Sequence, residues 1–211
     1  MITTQEFDSF KNFINNHNFF LVIGHKEPDG DCISSCLGIA EILKHYNKQY
    51  QLLSAGPFKR TEIQKFEKQF TNEMEFLSEE ERKQTGLIIC DCSEMHRLGE
   101  IEGDLKNLDT FVIDHHKTAE IPNNAESIIY SNSPAASLLV QLLYENCVGK
   151  LTEKIAKILY FGLMTDTGFF RFLTNKDTET FLASARLVEA GANPRETYDE
   201  ITSGKSYQSR K

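Results

Sequence analysis

The sequence predicts an α/β domain with a mainly parallel central sheet flanked by helices. Apolar runs of strand length alternate with helical periodicities, and several of the runs lead straight into aspartate or histidine residues. A chain of 211 residues is long enough to bury one sizeable core without disulfides. We predict one domain over residues 1–200 and the start of an interdomain linker over 201–211.

The first strand and the first long helix are predicted from adjacent patterns. The apolar run Phe19–Ile23 predicts a strand that ends at Gly24, directly before a histidine. Apolar residues at helical spacing follow, which predicts a strand-loop-helix unit. These residues are Ile33, Leu37, Ala40 and Leu43. Later apolar runs predict strands at 51–53, 87–90 and 110–113.

The second half of the chain predicts mainly helices. Ser133 as a cap and Pro134 in the first turn predict a helix through residue 143, and Thr152 predicts the cap of the next helix. Asp177 is predicted to begin a helix that stops at Gly191, a residue type common after helix ends. A short helix is expected after residue 194, followed by the linker.

Charge and cysteine usage narrow the functional classes. The net charge of −8 disfavours tight binding to long duplex DNA, which needs clustered Lys and Arg. No signal peptide or membrane-spanning stretch is evident, so we expect a cytoplasmic protein without a membrane partner. Five cysteines leave an odd thiol, which is typical of a reduced protein, and the spacing of Cys90 and Cys92 disfavours a structural zinc site.

A dense polar cluster follows the first predicted strand. His25, Asp29 and Asp31 fall within seven residues, and a glycine between the aspartates lets both carboxylates face one crevice. Taken alone, the two aspartates are equally typical of a turn in which Asp31 caps the following helix. Both interpretations stay open at this position.

Further aspartates and histidines follow two later strands. The carboxyl ends of parallel strands meet at one edge of a sheet, where ligands of α/β domains bind. We therefore expect these side chains to lie beside His25. They are Asp91 after strand 87–90, and Asp114, His115 and His116 after strand 110–113. Asp166 stands at the end of an apolar helix, where a lone aspartate more often only ends the helix.

Four carboxylates and two imidazoles are enough to neutralise and share two divalent cations, with one carboxylate bridging them. Oxygen and imidazole ligands favour manganese, magnesium or iron over thiolate-bound zinc. A pair of such cations suits phosphoryl chemistry, because it activates water near neutral pH and stabilises the transition state. The residues thus predict hydrolysis of a phosphate ester, with two divalent cations, preferably Mn²⁺ and alternatively Mg²⁺, as cofactors.

The combined motifs resemble the DHH phosphoesterase family over about residues 20–172. The family is named for the motif that stands here as Asp114-His115-His116, and the other motifs match in order: 25–31, 88–91 with 97–99 behind it, and 162–168. The resemblance implies one cation held by His25, Asp29 and Asp91. It implies a second cation held by Asp31, Asp91, His115 and Asp166, with Asp91 bridging the two.

The resemblance also implies roles beyond the cations. Asp114 would orient its neighbour, and His116 would contact the substrate phosphate or donate a proton. Arg97 is a candidate phosphate contact, as is Arg171, although a surface or structural ion pair is at least as expected for either. Three phenylalanines offer a stacking platform for a base or core packing, and we favour the core for the last two. They are Phe169, Phe170 and Phe172.

Within the family, segments 133–137 and 166–172 most resemble the nanoRNA exonucleases that also act on 3′-phosphoadenosine 5′-phosphate. We therefore expect a metal-dependent phosphodiesterase or exonuclease that hydrolyses short oligoribonucleotides and this nucleotide through metal-activated water. The alternatives are an inorganic pyrophosphatase or a cyclic-dinucleotide phosphodiesterase of the same family, or a non-catalytic nucleotide-binding domain. The expected partners are short single-stranded RNA or nucleotide phosphates.

Two departures from the family pattern stand out. Ser34 occupies a position where relatives often carry glycine, which we expect to alter helix packing without touching a ligand. The family's C-terminal DHHA1 domain has no counterpart in the 211 residues, so we expect this domain to be absent. An apolar face that such a domain would cover favours self-association, which makes a homodimer an expected partner as well.

Overall fold

A five-stranded, wholly parallel sheet forms the centre of the computed structural model, which describes residues 2–117 and 120–202. The strands are β1 (Phe19–Ile23), β2 (Gln49–Leu53), β3 (Thr85–Cys90), β4 (Asp109–Asp114) and β5 (Glu126–Ile129). Their order across the sheet is β2-β1-β3-β4-β5. The predicted parallel α/β fold and its first four strands are confirmed, whereas β5 was not predicted.

Helices precede, connect and follow the strands. Within the described residues they are α1 (Thr4–Asn16), α2 (Gly30–His45), α3 (Glu79–Arg82), α4 (Ala136–Cys147), α5 (Glu153–Thr167), α6 (Thr178–Glu189) and α7 (Pro194–Thr202). Two 3₁₀ helices cover Thr61–Gln69 and Met95–Leu98. Residues 203–211 of the predicted linker lie outside the described residues, so that assignment stays a prediction. No described helix has the length and apolar character needed to cross a membrane.

The two faces of the sheet are covered differently. Alternate strand residues such as Phe20 and Phe111 join the large core built with α1, α2, α4 and α5. The intervening residues, such as Leu21 and Leu87, join a smaller cluster that is closed by Leu98 and partly buried loop residues. Because both faces are buried, the strands are apolar almost throughout, as parallel strands usually are.

The crossing of α2 and α5 accommodates Ser34. A Cβ atom added to Gly162 of α5 would lie 2.6 Å from the Ser34 Cβ, which is closer than such atoms approach. The glycine therefore stands on the partner helix, and it gives the serine the space that it needs. The two helices therefore stay in close contact at position 34, and an altered packing relative to the family stays a prediction.

The predicted start of α4 is wrong. Ser133 does not cap this helix, because its hydroxyl donates to the Ala135 carbonyl and the helix begins at Ala136 without a local side-chain cap. The first amides instead donate to the carboxylate of Asp31, with Ala136 N at 2.6 Å and Ser137 N at 2.9 Å. A distant side chain therefore satisfies the groups that a local serine was expected to satisfy.

The other predicted helix signals hold. Thr152 accepts a hydrogen bond from Ile155 N at 3.4 Å and caps α5. The helix α6 begins directly after Asp177 and is followed by Gly191, whose φ of 114° lies in the left-handed region. The five cysteines are all free thiols.

Candidate metal centre

The three central strands bring the predicted site residues to one edge of the sheet. β1, β3 and β4 are neighbours, and each is followed by polar residues of the predicted set. The loop after β1 is attached to the loop after β3 by a hydrogen bond from Lys26 N to the Arg97 carbonyl, 2.8 Å long. All six predicted ligand side chains, together with His116, meet at this edge.

His115 lies at the centre of three carboxylates. Its Nε2 atom is 3.2 Å from Asp91 Oδ1, 3.3 Å from Asp166 Oδ2 and 3.8 Å from Asp31 Oδ2. Its Nδ1 atom is 3.1 Å from the Ser133 carbonyl, which favours the tautomer that carries the proton on Nδ1. In the neutral ring that binds a metal, this arrangement directs the lone pair of Nε2 toward the carboxylates.

His25 is oriented in the same way on the opposite side of Asp91. Its Nδ1 atom is 2.8 Å from the Lys26 carbonyl, and its Nε2 atom is 3.5 Å from Asp91 Oδ2 and 3.9 Å from Asp29 Oδ1. The two oxygens of Asp91 therefore face two different imidazoles. A carboxylate in this position has the geometry of a bridge between two cations.

The backbone of Asp91 adopts an unusual conformation. Its φ of 57° lies in the left-handed region, which costs a residue with a side chain about 1 kcal/mol or more. Its N–H donates to the Ile113 carbonyl at 2.9 Å, so the turn after β3 stays attached to β4. The side chain is 2 % exposed, and Asp91 Oδ1 accepts no hydrogen bond. An unsatisfied buried carboxylate oxygen is well suited to a cation.

The two aspartates that flank Gly30 both cap helices, although not as predicted. Asp29, and not Asp31, is the N-cap of α2, because its Oδ1 accepts from Asp31 N and Cys32 N at 3.1 Å each. Asp31 is fully buried and caps α4. Both interpretations of this segment therefore apply. The aspartates cap helices, and their carboxylates also converge on the site.

Asp114 orients His116 and its own backbone turn. Its Oδ1 accepts from His115 N at 2.8 Å and from His116 N at 3.2 Å, and it lies 2.7 Å from His116 Nδ1. The side chain that Asp114 orients is therefore the imidazole of His116. This ring lies in the loop after β4 at the rim of the site, with 35 % of its side chain exposed and Nδ1 3.9 Å from Asp91 Oδ1.

The crowded charges shift the pKa values of the cluster. Burial, followed by the charges of Asp91 and Asp166, raises the pKa of Asp31 well above its usual value. Burial and the charge of Asp91 also raise the pKa of Asp166 to about 6. Burial alone would lower the pKa of His115, but the neighbouring carboxylates raise it to about 10. The carboxylates therefore need positive charge in their midst to remain ionised together.

Divalent cations meet this need, and the donor set suits them. Groups of donors from this cluster lie within 4.8 Å of one another, for example those of Asp31, His115 and Asp166. Carboxylate oxygens combined with imidazole nitrogens favour manganese and related cations. The residues present therefore fit bound divalent metal, which agrees with the prediction of a metal centre.

Two residues of this edge were not predicted. Arg60, in the loop after β2, has its Nη2 atom 3.7 Å from Asp29 Oδ2 and adds a cation beside the carboxylates. Cys32 is buried one residue after Asp31, and its sulfur lies in a donor group with His25 and Asp91. Neither belongs to a motif that marks a ligand, so sequence alone offered no signal for them.

Two arginines were also predicted as candidate phosphate contacts. Arg97 is in the 3₁₀ helix Met95–Leu98, and its guanidinium forms no ion pair within residues 2–117 and 120–202. The guanidinium of Arg171 lies 4.7 Å from the centre of the Phe172 ring. Phe172 is 63 % exposed, so its predicted core position is wrong, whereas Phe170 packs against the core as expected.

A left-handed turn explains the exposure of Phe172. Gly168, Phe169 and Phe170 have φ values of 55°, 56° and 66°, so the chain reverses sharply at the end of α5. Phe169 contacts Tyr198 of α7, with ring centres 5.0 Å apart.

Comparison with known proteins identifies the family of this arrangement. Residues 20–163 match the N-terminal domain of the DHH family. A protein of Mycoplasma pneumoniae named as the bifunctional oligoribonuclease and PAP phosphatase NrnA is 28 % identical, covering 89 % of this chain and 58 % of the relative. A manganese-dependent inorganic pyrophosphatase of Methanothrix thermoacetophila is 22 % identical, covering 88 % of this chain and 59 % of the relative. The chain thus spans less than two thirds of these relatives.

A solved structure shares the fold. An exopolyphosphatase-related protein of Bacteroides fragilis superposes with a TM-score of 0.82 at 20 % identity, covering 98 % of this chain and 63 % of that protein. At this identity the likeness concerns the arrangement of helices and strands alone. It agrees with the parallel sheet and the flanking helices described above.

Proposed function

The chain belongs to the DHH family, and from this premise we propose that it is a metal-dependent phosphoesterase that hydrolyses short oligoribonucleotides and 3′-phosphoadenosine 5′-phosphate. One observation carries the proposal: the two oxygens of Asp91 face His25 and His115 separately, at 3.5 Å and 3.2 Å. An arrangement of this kind suits a pair of cations that share one carboxylate. A single structural cation would not need it.

The proposed ligands divide into two sets that share Asp91. One cation would be held by His25, Asp29 and Asp91, and the other by Asp31, Asp91, His115 and Asp166. The distances from each imidazole to its carboxylates, between 3.2 Å and 3.9 Å, support this division. We propose Mn²⁺ as the cation, because one relative is named as a manganese-dependent enzyme and the ligands are oxygen and imidazole.

When bound, the cation pair supplies activated water and charge stabilisation for an in-line displacement at phosphorus. The protein's own residues position the substrate and move protons. Asp114 Oδ1 lies 2.7 Å from His116 Nδ1 and accepts a hydrogen bond from the Nδ1 proton, which keeps that proton on Nδ1. The hydrogen bond to Asp114 raises the pKa of His116, so its ring is suited to contact a phosphate or to donate a proton to the leaving oxygen.

The surroundings of the site favour a small phosphorylated substrate. Arg60 adds a guanidinium next to Asp29, and guanidinium groups bind phosphate oxygens in pairs. The net charge of −8 disfavours long duplexes, whose binding depends on many basic contacts. The name of the Mycoplasma pneumoniae relative supports short RNA and 3′-phosphoadenosine 5′-phosphate as substrates.

Hydrolysis of inorganic pyrophosphate is the second candidate. The Methanothrix thermoacetophila relative, named as a pyrophosphatase, favours it. Pyrophosphate needs no base-binding surface, whereas a nucleotide does. The two candidate functions therefore share the cation pair and differ in whether a base-binding surface is needed beside it. Substrate assays distinguish them.

The test is a substrate panel with the metal-free protein, to which Mn²⁺ is added back. We expect manganese-dependent release of product from a two-nucleotide RNA and from 3′-phosphoadenosine 5′-phosphate. Pyrophosphate and a cyclic dinucleotide should react more slowly. In Asp91→Ala, bound manganese and turnover should be lost together, with turnover down about a thousandfold, since a cation pair contributes several kcal/mol.

The matched control is Asp8→Ala, because Asp8 is an exposed aspartate of α1 that the site does not use. It should keep both manganese and turnover. Manganese-dependent turnover that survived in Asp91→Ala would contradict the bridging role of Asp91. Faster hydrolysis of pyrophosphate than of the nucleotides would favour the second candidate.

A further inference from the structure

A thiol lies beside the carboxylate and imidazole donors near His25. The sulfur of Cys32, a donor atom of His25 and a carboxylate oxygen of Asp91 all lie within 4.8 Å of one another. The cysteine is 1 % exposed, so its sulfur is held among neighbouring atoms and does not face solvent. It follows Asp31 directly, in the first turn of α2.

Gly24 makes room for this sulfur. A Cβ atom added to Gly24 would lie 2.2 Å from Cys32 Sγ, a distance that no real side chain could occupy. Gly24 directly precedes His25 in the chain, so the same turn that presents the imidazole also accommodates the thiol. The position of Cys32 is therefore a consequence of how β1 ends at the site.

The separations are close to those around a tetrahedral cation. With the bond lengths usual for zinc, neighbouring ligand atoms lie about 3.3–3.8 Å apart. His25 Nε2 and Asp91 Oδ2 are 3.5 Å apart, which is already within this range. The sulfur lies within 4.8 Å of a donor atom of each of these residues, so it needs a shift of about 1 Å to reach the same range.

The neighbourhood of His115 differs in its donors. The residues around its Nε2 atom offer carboxylate oxygens, with Asp91, Asp166 and Asp31 at 3.2 Å, 3.3 Å and 3.8 Å. No described cysteine joins the donor groups around His115. Thiolate sulfur selects softer cations than oxygen does. The two cation positions of the proposed centre are therefore chemically unequal in this chain.

We propose that Cys32 supplies a sulfur ligand to the cation position beside His25 and makes that position selective for thiophilic divalent cations such as Zn²⁺. The inference rests on the proposed function, because it assigns a ligand to one half of the same centre. Cysteine coordinates as the thiolate, so binding transfers the Sγ proton to solvent. Zn²⁺ then displaces Mn²⁺ from this position first.

Co²⁺ provides a direct test, because sulfur bound to Co²⁺ gives a charge-transfer absorption in the near ultraviolet that nitrogen and oxygen ligands do not give. The metal-free chain is titrated with Co²⁺ under reducing conditions, alongside Cys32→Ser and the matched control Cys36→Ser. Cys36 lies one turn further along α2 and is equally buried, at 1 % exposure. We expect the absorption in the unmodified chain and in Cys36→Ser. Cys32→Ser should bind Co²⁺ without it.

Competition gives a second measurement. The amount of Zn²⁺ needed to release bound Mn²⁺, followed by the paramagnetic resonance of free Mn²⁺, should rise about tenfold to a hundredfold in Cys32→Ser, the range typical for loss of a metal-site partner.

Co²⁺ binding without the absorption in the unmodified chain, or an absorption that persists in Cys32→Ser, would overturn this inference alone. Failure of the unmodified chain to bind Co²⁺ would overturn it together with the proposed function.

Discussion

The half of the centre around His115 and the half around His25 are held in different ways. In the His115 half, formed by His115, Asp31 and Asp166 with one oxygen of Asp91, the donors already converge on one imidazole nitrogen. In the His25 half, formed by His25 and Asp29 with the other Asp91 oxygen, Asp29 also caps α2 and faces Arg60. The first half is thus more completely assembled.

The difference shows how neighbouring contacts prepare a charged site. Asp31 is fixed by two amides of α4, so the fold of a distant helix holds a carboxylate against its neighbours. Asp29 likewise accepts from two helix amides, but its Oδ2 also faces the guanidinium of Arg60, whose positive charge opposes a cation beside that oxygen. We therefore expect the two halves to bind manganese with unequal affinity.

The largest expected effect separates the two halves directly. Titration of the metal-free chain with Mn²⁺, followed by calorimetry, should show two steps, the tighter one in the His115 half. His115→Ala should weaken the tighter step by at least about a hundredfold, whereas His25→Ala should weaken the other. Each variant serves as the matched control for the other. Equal weakening of one and the same step by both substitutions would show that the halves are not distinct.

A smaller effect is expected from a side chain that belongs to neither of the two proposed sets of ligands. His116→Ala should lower turnover about a hundredfold, the lower range for loss of a general acid, while both manganese steps remain unchanged. The matched control is His45→Ala, since His45 is exposed at the far end of α2 and should leave turnover unaltered. Loss of a manganese-binding step in His116→Ala would instead show that His116 is a cation ligand, and His116 would then have to be counted with the His115 half.

The smallest expected effect concerns pH and the His115 half. The pKa of Asp166 is raised from its ordinary value of 3.8 to about 6, so the folded chain binds its proton more tightly than the unfolded chain does. Asp166 should therefore make the metal-free protein more stable as pH falls, and its own contribution should be about 1 kcal/mol between about pH 7 and 5. Denaturant unfolding at each pH measures this change. With saturating Mn²⁺ the sign should reverse, because protons compete with the cation.

Asp166→Asn is the variant that isolates this group. It has no carboxylate to protonate, so the gain in stability of the metal-free protein at lower pH should shrink by about the same 1 kcal/mol. Asp8→Asn, which changes an exposed aspartate of α1, should keep the full gain. If the pH dependence of stability is unchanged in Asp166→Asn, another carboxylate of the His115 half must take up the proton.

Local signals explain why part of the fold was predictable. β1 and α2 were predicted because an apolar run and a helical apolar face depend only on nearby residues. The helix α1 carries such a signal as well, since Thr3 and Glu6 form a capping box at its start, but that signal was overlooked. β5 is four residues long and partly exposed, so its pattern is too short to distinguish from a loop.

The site was predictable for a topological reason. Side chains that follow neighbouring parallel strands must meet, whatever their separation in the sequence, so Asp91 and His115 could be placed together. The capping of α4 by Asp31 and the approach of Arg60 to Asp29 could not be foreseen. Both depend on how a helix or loop docks on the sheet, and no local pattern records that docking.

The hydrogen bonds from α4 to Asp31 have an evolutionary consequence. A substitution at this position would remove a charge from the centre and would also leave two buried amides, of Ala136 and Ser137, without an acceptor. The substitution would therefore destabilise the fold, whether or not a cation binds. A descendant without the proposed hydrolytic activity would be expected to retain Asp31 for longer than His116, because loss of the His116 side chain leaves no buried amide without an acceptor.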